Sequence, residues 1–164
     1  MKSSIPHRLL LATITLILFL AGAPLSRAQF AAQPASALTI PASQIMQPEQ
    51  LNKLLRNPAT LKPLILQVGS RMMFDQTHIA GAEYAGPGSQ DSGLQTLRDR
   101  VSSLPRKTFI VIYCGCCPWN RCPNVGPAYK LLSGMGFTNL RVLYIADNFG
   151  TNWVNMGYPV DQGR

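Results

Sequence analysis

An unbroken run of β-branched and aromatic residues, Thr-Phe-Ile-Val-Ile-Tyr, occupies positions 108–113 of the sequence. It lacks the alternation of polar and apolar residues that marks a strand with one face in water. A run of this kind is typical of a strand buried on both faces, as in parallel sheets covered by helices. The sequence therefore favours an α/β fold with this strand near the centre of the sheet.

Segments with strand-like and helix-like patterns alternate on either side of this run. Short apolar runs predict two further strands, at 64–68 and 142–145. Apolar residues at helical spacing predict four helices, at about 48–56, 94–104, 125–135 and 148–156. The glycine- and proline-rich part at 72–91 is interpreted as loops. This alternation predicts a parallel sheet with helices on both faces, whose ligand sites lie beyond the carboxyl ends of the strands.

The first residues have the layout of an export signal. Lys2 and Arg8 precede an apolar run at 9–23. That run, of about 15 residues, is shorter than the roughly 20 that a membrane-spanning helix needs. We therefore predict a signal peptide at 1–28 that is cleaved after Ala28, with no membrane anchor after cleavage. The protein would be exported, and periplasmic in a Gram-negative source.

The remainder of the chain predicts one domain and no nucleic-acid partner. Residues 29–44, rich in Ala, Gln, Pro and Ser, predict a flexible leader before a domain at 45–164. The formal net charge of +8 falls to +5 without residues 1–28, since 12 basic and 7 acidic residues remain, and this excess is spread from Lys53 to Arg164 without runs of like charge or interleaved aromatic residues. This pattern argues against nucleic-acid binding, but a mild positive field favours small anionic substrates.

All 4 cysteines of the chain lie in one short segment, Cys-Gly-Cys-Cys-Pro-Trp-Asn-Arg-Cys, from Cys114 to Cys122. Disulfides that stabilise a fold usually join distant segments, because closing a long loop constrains the unfolded chain most. Thiols in a single loop constrain the unfolded chain very little. The segment is therefore interpreted as a functional site, and it directly follows the predicted central strand.

The order of segments resembles that of the rhodanese family of sulfurtransferases. The resemblance rests on the segments 64–68, 77–82 (Thr-His-Ile-Ala-Gly-Ala), 110–114, 132–137 and 153–160. It implies a rhodanese-like fold over roughly residues 45–160. It also implies an activity, in which a cysteine accepts a sulfur atom from a donor such as thiosulfate and holds it as a persulfide.

The chain departs from the family at three places. A Gly-Gly pair expected before Trp153 is replaced by Asp-Asn-Phe-Gly at 147–150. The acidic residue and Val-Arg that usually end the early strand are replaced by Gln67-Val68-Gly69. The family loop usually runs Cys, four residues, Arg. Cys116 has that spacing to Arg121, whereas Cys114 has the family's position at the end of the strand. The fold is therefore expected to transfer more directly than the activity.

The candidate catalytic residues are Cys114, Cys116, Cys117 and Arg121. Backbone N–H groups and a following helix favour a thiolate at the end of a strand, and an arginine supplies a forked donor for an anionic sulfur donor. We expect Cys114 to accept the sulfur, with Cys116 as the second choice. No metal ion or cofactor is expected. The candidate substrate-binding residues are Gly115, Trp119, Asn120 and Arg121.

The additional thiols predict a second step. A thiol beside the persulfide would attack its inner sulfur, expel hydrosulfide and leave a disulfide. Cys117 is the first choice for this thiol, because the two residues between it and Cys114 allow a disulfide to close. Cys122 is the second choice. A disulfide between the adjacent residues Cys116 and Cys117 would be strained. The protein would then need a thiol reductant as partner.

Two other classes of function are compatible with the loop. Cys114 and Cys117 form a C-x-x-C pair, which is typical of thiol–disulfide exchange. Thiolates also bind Zn²⁺ or Cu(I), although the spacing is not that of a standard zinc site and the loop contains no histidine. Outside the loop, His78 is expected to hold its own turn by backbone hydrogen bonds, and Trp153 is expected to lie in the core.

Overall fold

A computed structural model describes residues 40–163 of the chain. The predicted signal peptide and residues 29–39 of the predicted leader lie outside the described residues. The helices are α1 (Pro48–Arg56), α2 (Arg71–Gln76), α3 (Asp91–Val101) and α4 (Val125–Gly134). The strands are β1 (Ile45–Met46), β2 (Leu64–Gln67), β3 (His78–Ile79), β4 (Glu83–Tyr84), β5 (Ile110–Tyr113), β6 (Leu140–Leu143) and β7 (Val160–Asp161). Within residues 40–163, no helix is long and apolar enough to cross a membrane.

Five strands form a parallel sheet in the order β1-β6-β5-β2-β4, with β5 at its centre. Ile112 of β5 lies opposite Leu66 of β2 on one side and Val142 of β6 on the other. Every residue of β5 is buried, which confirms the prediction from the run at 108–113. Strands β3 and β7 form a separate antiparallel pair.

Helices cover both faces of the sheet, as predicted. Successive side chains of β5 point to opposite faces and enter two separate apolar clusters. Ile112 belongs to the cluster that contains Leu97 of α3 and Leu132 of α4. Val111 belongs to the cluster that contains Leu51 of α1. A parallel sheet between two helical layers is therefore the architecture of the described chain.

Helix α1 forms where its local sequence predicts it. Gln47 and Gln50 form a capping box, since each side chain hydrogen-bonds the backbone of the other residue. Pro48 occupies the first helical position, where its missing N–H costs no hydrogen bond. The helix ends at Arg56, and Leu51 is its buried contact with the sheet.

The prediction of loops at 72–91 is wrong over residues 72–84, which contain most of α2 and all of β3 and β4. These elements are too short to show a hydrophobic period, and tertiary contacts hold them in place. Phe74 of α2 is buried and its ring stacks on His78, with centroids 3.8 Å apart. Nδ1 of His78 lies 2.7 Å from the carbonyl oxygen of Phe74, which confirms the structural interpretation of His78.

Two later elements differ from the prediction in position or type. Strand β6 begins two residues before the predicted strand at 142–145 and overlaps its first two residues. The predicted helix at 148–156 is a shorter π-helical turn, Gly150–Val154. Trp153 of that turn is fully buried, so its prediction as a core residue is confirmed.

The domain begins before the predicted boundary at residue 45. Residues Ala42–Gln44 form a 3₁₀ turn, and the hydroxyl of Tyr129 on α4 donates a hydrogen bond to Oε1 of Gln44. Ile40 packs against the core cluster of α3 and α4. The described end of the predicted leader is thus part of the folded unit.

Candidate functional site

The cysteine loop leaves the carboxyl end of β5, the central strand. Cys114 continues directly from β5 and is only 3% exposed. Nε2 of Gln67, at the end of β2, donates a hydrogen bond to the carbonyl oxygen of Cys114 (3.2 Å). Oε1 of Gln67 accepts from the backbone N–H of Gly69 (3.2 Å). The amide of Gln67 therefore joins the ends of two neighbouring strands beneath the loop.

Gly115 turns the chain at the start of the loop. Its φ of 76° lies in the left-handed region that favours glycine. Its carbonyl oxygen accepts a hydrogen bond from the backbone N–H of Phe149 (3.0 Å). A β-carbon at this position would lie 2.9 Å from Cβ of Phe149. Gly115 was predicted to bind substrate. In the structure it is buried and packs against Phe149.

We expect Gly115→Ala to destabilise the domain by about 2–4 kcal/mol, because a left-handed φ and a close contact with Phe149 both oppose a methyl group. The matched control is Gly134→Ala at the end of α4, where an added β-carbon meets no atom within 4 Å. The control should change stability by at most about 1 kcal/mol. Urea unfolding measures both values, and equal effects of the two substitutions would contradict this account of Gly115.

Four sulfur atoms converge in this loop, and all belong to free cysteines. Sγ of Cys114 lies 2.7 Å from Sγ of Cys116, which lies 3.3 Å from Sγ of Cys117. These three sulfur atoms lie within 4.8 Å of one another. Cys122 lies outside this set of three, but it lines the same small cavity as Cys114 and Cys117 and shifts the pKa values of both. The four cysteines Cys114, Cys116, Cys117 and Cys122 are called here the thiol ring.

Asn124, the residue before α4, is buried beside the thiol ring. Its Nδ2 donates hydrogen bonds to Sγ of Cys114 (3.3 Å) and of Cys116 (3.6 Å). Its Oδ1 accepts from the backbone N–H of Ser89 (3.0 Å). Asn124 was not among the predicted site residues. It occupies the position of a helix cap, but its side chain makes no cap hydrogen bond and its amide donates to sulfur instead.

Negative charge in the thiol ring is most stable on Cys122. The pKa of Cys122 is lowered to about 6 by hydrogen bonding from Cys114 and by the backbone N–H groups of Asn124 and Val125. The pKa of Cys114 is raised by its hydrogen bond with Cys122 and by burial. The pKa of Cys117 is raised to about 12, mainly by burial. The helix start that was expected to favour a thiolate at Cys114 therefore acts on Cys122.

The other predicted site residues divide into two groups. Trp119 is half-buried beside the loop: its backbone N–H donates to the carbonyl oxygen of Ala146 (3.0 Å) and its ring packs on Tyr144 (5.1 Å between centroids). Asn120 and Arg121 are exposed. Within residues 40–163, no side-chain hydrogen bond or ion pair involves Arg121. The structure therefore brings Trp119 to the thiols, and leaves Asn120 and Arg121 at the surface.

A small cavity lies against three of the four thiols. Its volume is about 10 Å³, and it is lined by Cys114, Gly115, Cys117, Trp119, Cys122, Val125, Leu143 and Ile145. A cavity of this size accommodates roughly one water-sized atom. The thiols therefore adjoin space for a single added atom rather than for an organic molecule.

Solved structures of other proteins have the same architecture. One is the solution NMR structure of a rhodanese-like domain from an Anabaena sp. protein, with 24% identity and a TM-score of 0.53 over 73% of this chain and 79% of that chain. A crystal structure of the same Anabaena protein gives 25% identity and a TM-score of 0.54 over 72% and 92% of the two chains. A Bacillus halodurans protein gives 18% identity and a TM-score of 0.54, over 73% and 77%.

No protein-family model and no curated protein matches the sequence. The chain is an α/β domain with a parallel sheet, and its cysteines lie on the loop between the central strand and the next helix. Ligand sites of such sheets usually lie on loops of this kind. The described chain has a rhodanese-like fold, as the order of its segments predicted.

Proposed function

We propose that this protein takes a sulfur atom from a small anionic donor such as thiosulfate and carries it as a cysteine persulfide. The observation that carries the proposal is the convergence of four thiols at the carboxyl end of the central strand of a rhodanese-like fold. Thiolates are the nucleophiles of sulfur chemistry, and the adjoining cavity has room for one added atom.

Cys122 is the first nucleophile in this proposal, in place of Cys114. Backbone N–H groups of Asn124 and Val125 at the start of α4 direct their positive ends at its sulfur. The Cys122 thiolate attacks the outer sulfur of thiosulfate, and the sulfur–sulfur bond of the donor breaks. Sulfite leaves with the bonding electron pair, and the negative charge moves to the terminal sulfur of the persulfide.

The neighbouring thiols then release the sulfur. Cys114 and Cys117 are both within hydrogen-bonding reach of Cys122. Attack by either thiol on Sγ of Cys122 forms a disulfide and expels hydrosulfide, which takes the proton of the attacking thiol. Two electrons from a dithiol reductant then restore the free thiols. If the predicted signal peptide exports the protein, that reductant acts outside the cytoplasm.

The test adds thiosulfate to the reduced, metal-free protein and measures the intact mass, the sulfite released, the sulfide released and the free thiols. We expect one sulfur per chain and one sulfite in the first step, followed by one sulfide and the loss of two thiols. Cys116→Ser should retain sulfur uptake, because Cys116 does not contact Cys122 in the thiol ring. An unchanged mass without sulfite release would refute the proposal.

Thiol–disulfide exchange is the second candidate function. The distance of 2.7 Å between the sulfur atoms of Cys114 and Cys116 favours it, although the sequence suggested the pair Cys114 and Cys117. A disulfide between Cys114 and Cys116 after mild oxidation, without sulfur uptake from thiosulfate, would support this alternative over persulfide chemistry.

A further inference from the structure

The thiol ring has the number and type of groups that a closed metal site requires. Sγ of Cys116 contacts Sγ of both Cys114 and Cys117, and Cys122 lines the same cavity as Cys114 and Cys117. All four ligands come from one loop, so the site needs no movement of distant segments. We propose that the thiol ring binds one Zn²⁺ ion through four thiolates in tetrahedral geometry.

The observed distances among three of the four sulfur atoms are close to those of such a site. A Zn–S bond of about 2.3 Å in a tetrahedron places the sulfur atoms about 3.8 Å apart. The sulfur atoms of Cys114, Cys116 and Cys117 already lie within 4.8 Å of one another. An ion at the centre lengthens the two short contacts of 2.7 and 3.3 Å by roughly 1 Å or less. The sulfur atom of Cys122 lies outside this set of three, and a rotation of its side chain towards the ion supplies the fourth ligand.

Hydrogen-bond donors surround the ring on the side of α4. Four thiolates and one Zn²⁺ carry a net charge of −2, which needs compensation. The amide of Asn124 donates to Cys114 and Cys116, and the backbone N–H groups of Asn124 and Val125 donate to Cys122. Donors of this kind orient thiolate ligands and reduce their charge.

The ligand set selects the ion. The ring offers sulfur and neither carboxylate nor imidazole, which disfavours Mg²⁺ and Ca²⁺ and favours soft cations. Four ligands in a closed tetrahedron are typical of structural Zn²⁺ sites. The spacing of the cysteines did not predict this site, since the usual zinc pattern joins two separated pairs.

The inference is independent of the proposed sulfur chemistry, but it has a consequence for it. A Zn²⁺ ion would engage all four thiolates, including that of Cys122. Metal binding and persulfide formation would therefore exclude one another at this loop. Zinc would hold the thiols in a closed and unreactive state.

The test uses reduced, chelator-treated full-length protein with Co²⁺ as a spectroscopic probe and Zn²⁺ as the competing ion. We expect one Co²⁺ per chain, with intense thiolate-to-cobalt charge-transfer absorption and the ligand-field bands of tetrahedral sulfur ligation. One Zn²⁺ should displace it and protect all four thiols from alkylation. Octahedral cobalt bands, fewer than four protected thiols, or displacement by Cu(I) but not by Zn²⁺ would overturn the assignment.

A variant series tests the ligands. Cys117→Ser, at a half-buried position, should weaken Zn²⁺ binding at least tenfold and change the cobalt spectrum to that of three sulfur ligands. The control Met72→Ser removes a sulfur atom from an exposed side chain on α2 and should leave binding unchanged. Circular dichroism establishes that each variant is folded. Unchanged Zn²⁺ affinity in folded Cys117→Ser would contradict the four-thiolate site.

Discussion

Replacing Cys122 by serine is expected to remove nearly all thiolate from the metal-free loop at neutral pH. With a pKa of about 6, roughly nine-tenths of Cys122 is ionised at pH 7. Burial raises the pKa values of Cys114 and Cys117 even without Cys122, so both stay protonated at neutral pH. The thiolate population should therefore fall at least about tenfold.

The measurement is the ultraviolet absorbance of the thiolate, followed with pH in reduced, chelator-treated protein. Absorbance rises with pH because deprotonation creates the absorbing anion. The wild-type midpoint should lie near pH 6, and the variant should show only the rise above about pH 8 that ordinary thiols give. Cys116→Ser is the matched control, since Cys116 is not among the groups that lower the pKa of Cys122.

The outcome also decides between two candidate nucleophiles. A midpoint near pH 6 that persists in Cys122→Ser would place the charge on another cysteine. Cys114, which the sequence favoured, would then be tested by Cys114→Ser in the same assay. Loss of the midpoint in Cys122→Ser alone supports sulfur uptake at the start of α4.

The central strand could be predicted because its residue types are those of a strand that is buried on both faces. The run at 108–113 has no charged side chain and no alternation of polar and apolar residues, and β5 is buried on both faces. Helix α1 carries its own start and stop, in the capping box of Gln47 and Gln50 and in the proline after Asn57. Strand β4 carries neither kind of information. Two residues long, it is held by its pairing with β2.

The site was predicted in location but not in its charge distribution. From the sequence, we expected the start of the next helix to act on Cys114, which follows the strand. The first N–H groups of a helix instead point towards the residues just before it, and α4 begins at Val125, three residues after Cys122. That inference was available from the sequence. The close approach of the cysteine sulfur atoms could not be predicted from the sequence, because it depends on the left-handed turn at Gly115.

Trp153→Ala is expected to destabilise the domain by about 3–5 kcal/mol, since it empties a large, fully buried site. The indole lies near the ring of Tyr158 (5.0 Å between centroids) and stacks beside Phe149 (6.4 Å). Its Nε1 donates a hydrogen bond to the carbonyl oxygen of Pro159 (3.0 Å). Urea unfolding gives the value.

The effect should also reach the cysteine loop, because Phe149 stands between Trp153 and Gly115. The backbone N–H of Phe149 holds the carbonyl oxygen of Gly115, and its ring borders that of Tyr113. A space beside Phe149 should therefore loosen the loop and speed alkylation of the half-buried Cys117. The control Met156→Ala removes a side chain that is 55% exposed and should change stability by less than about 0.5 kcal/mol. If Trp153→Ala lowers stability but leaves alkylation of the folded protein unchanged, β5 and α4 hold the loop without support from Trp153 and Phe149.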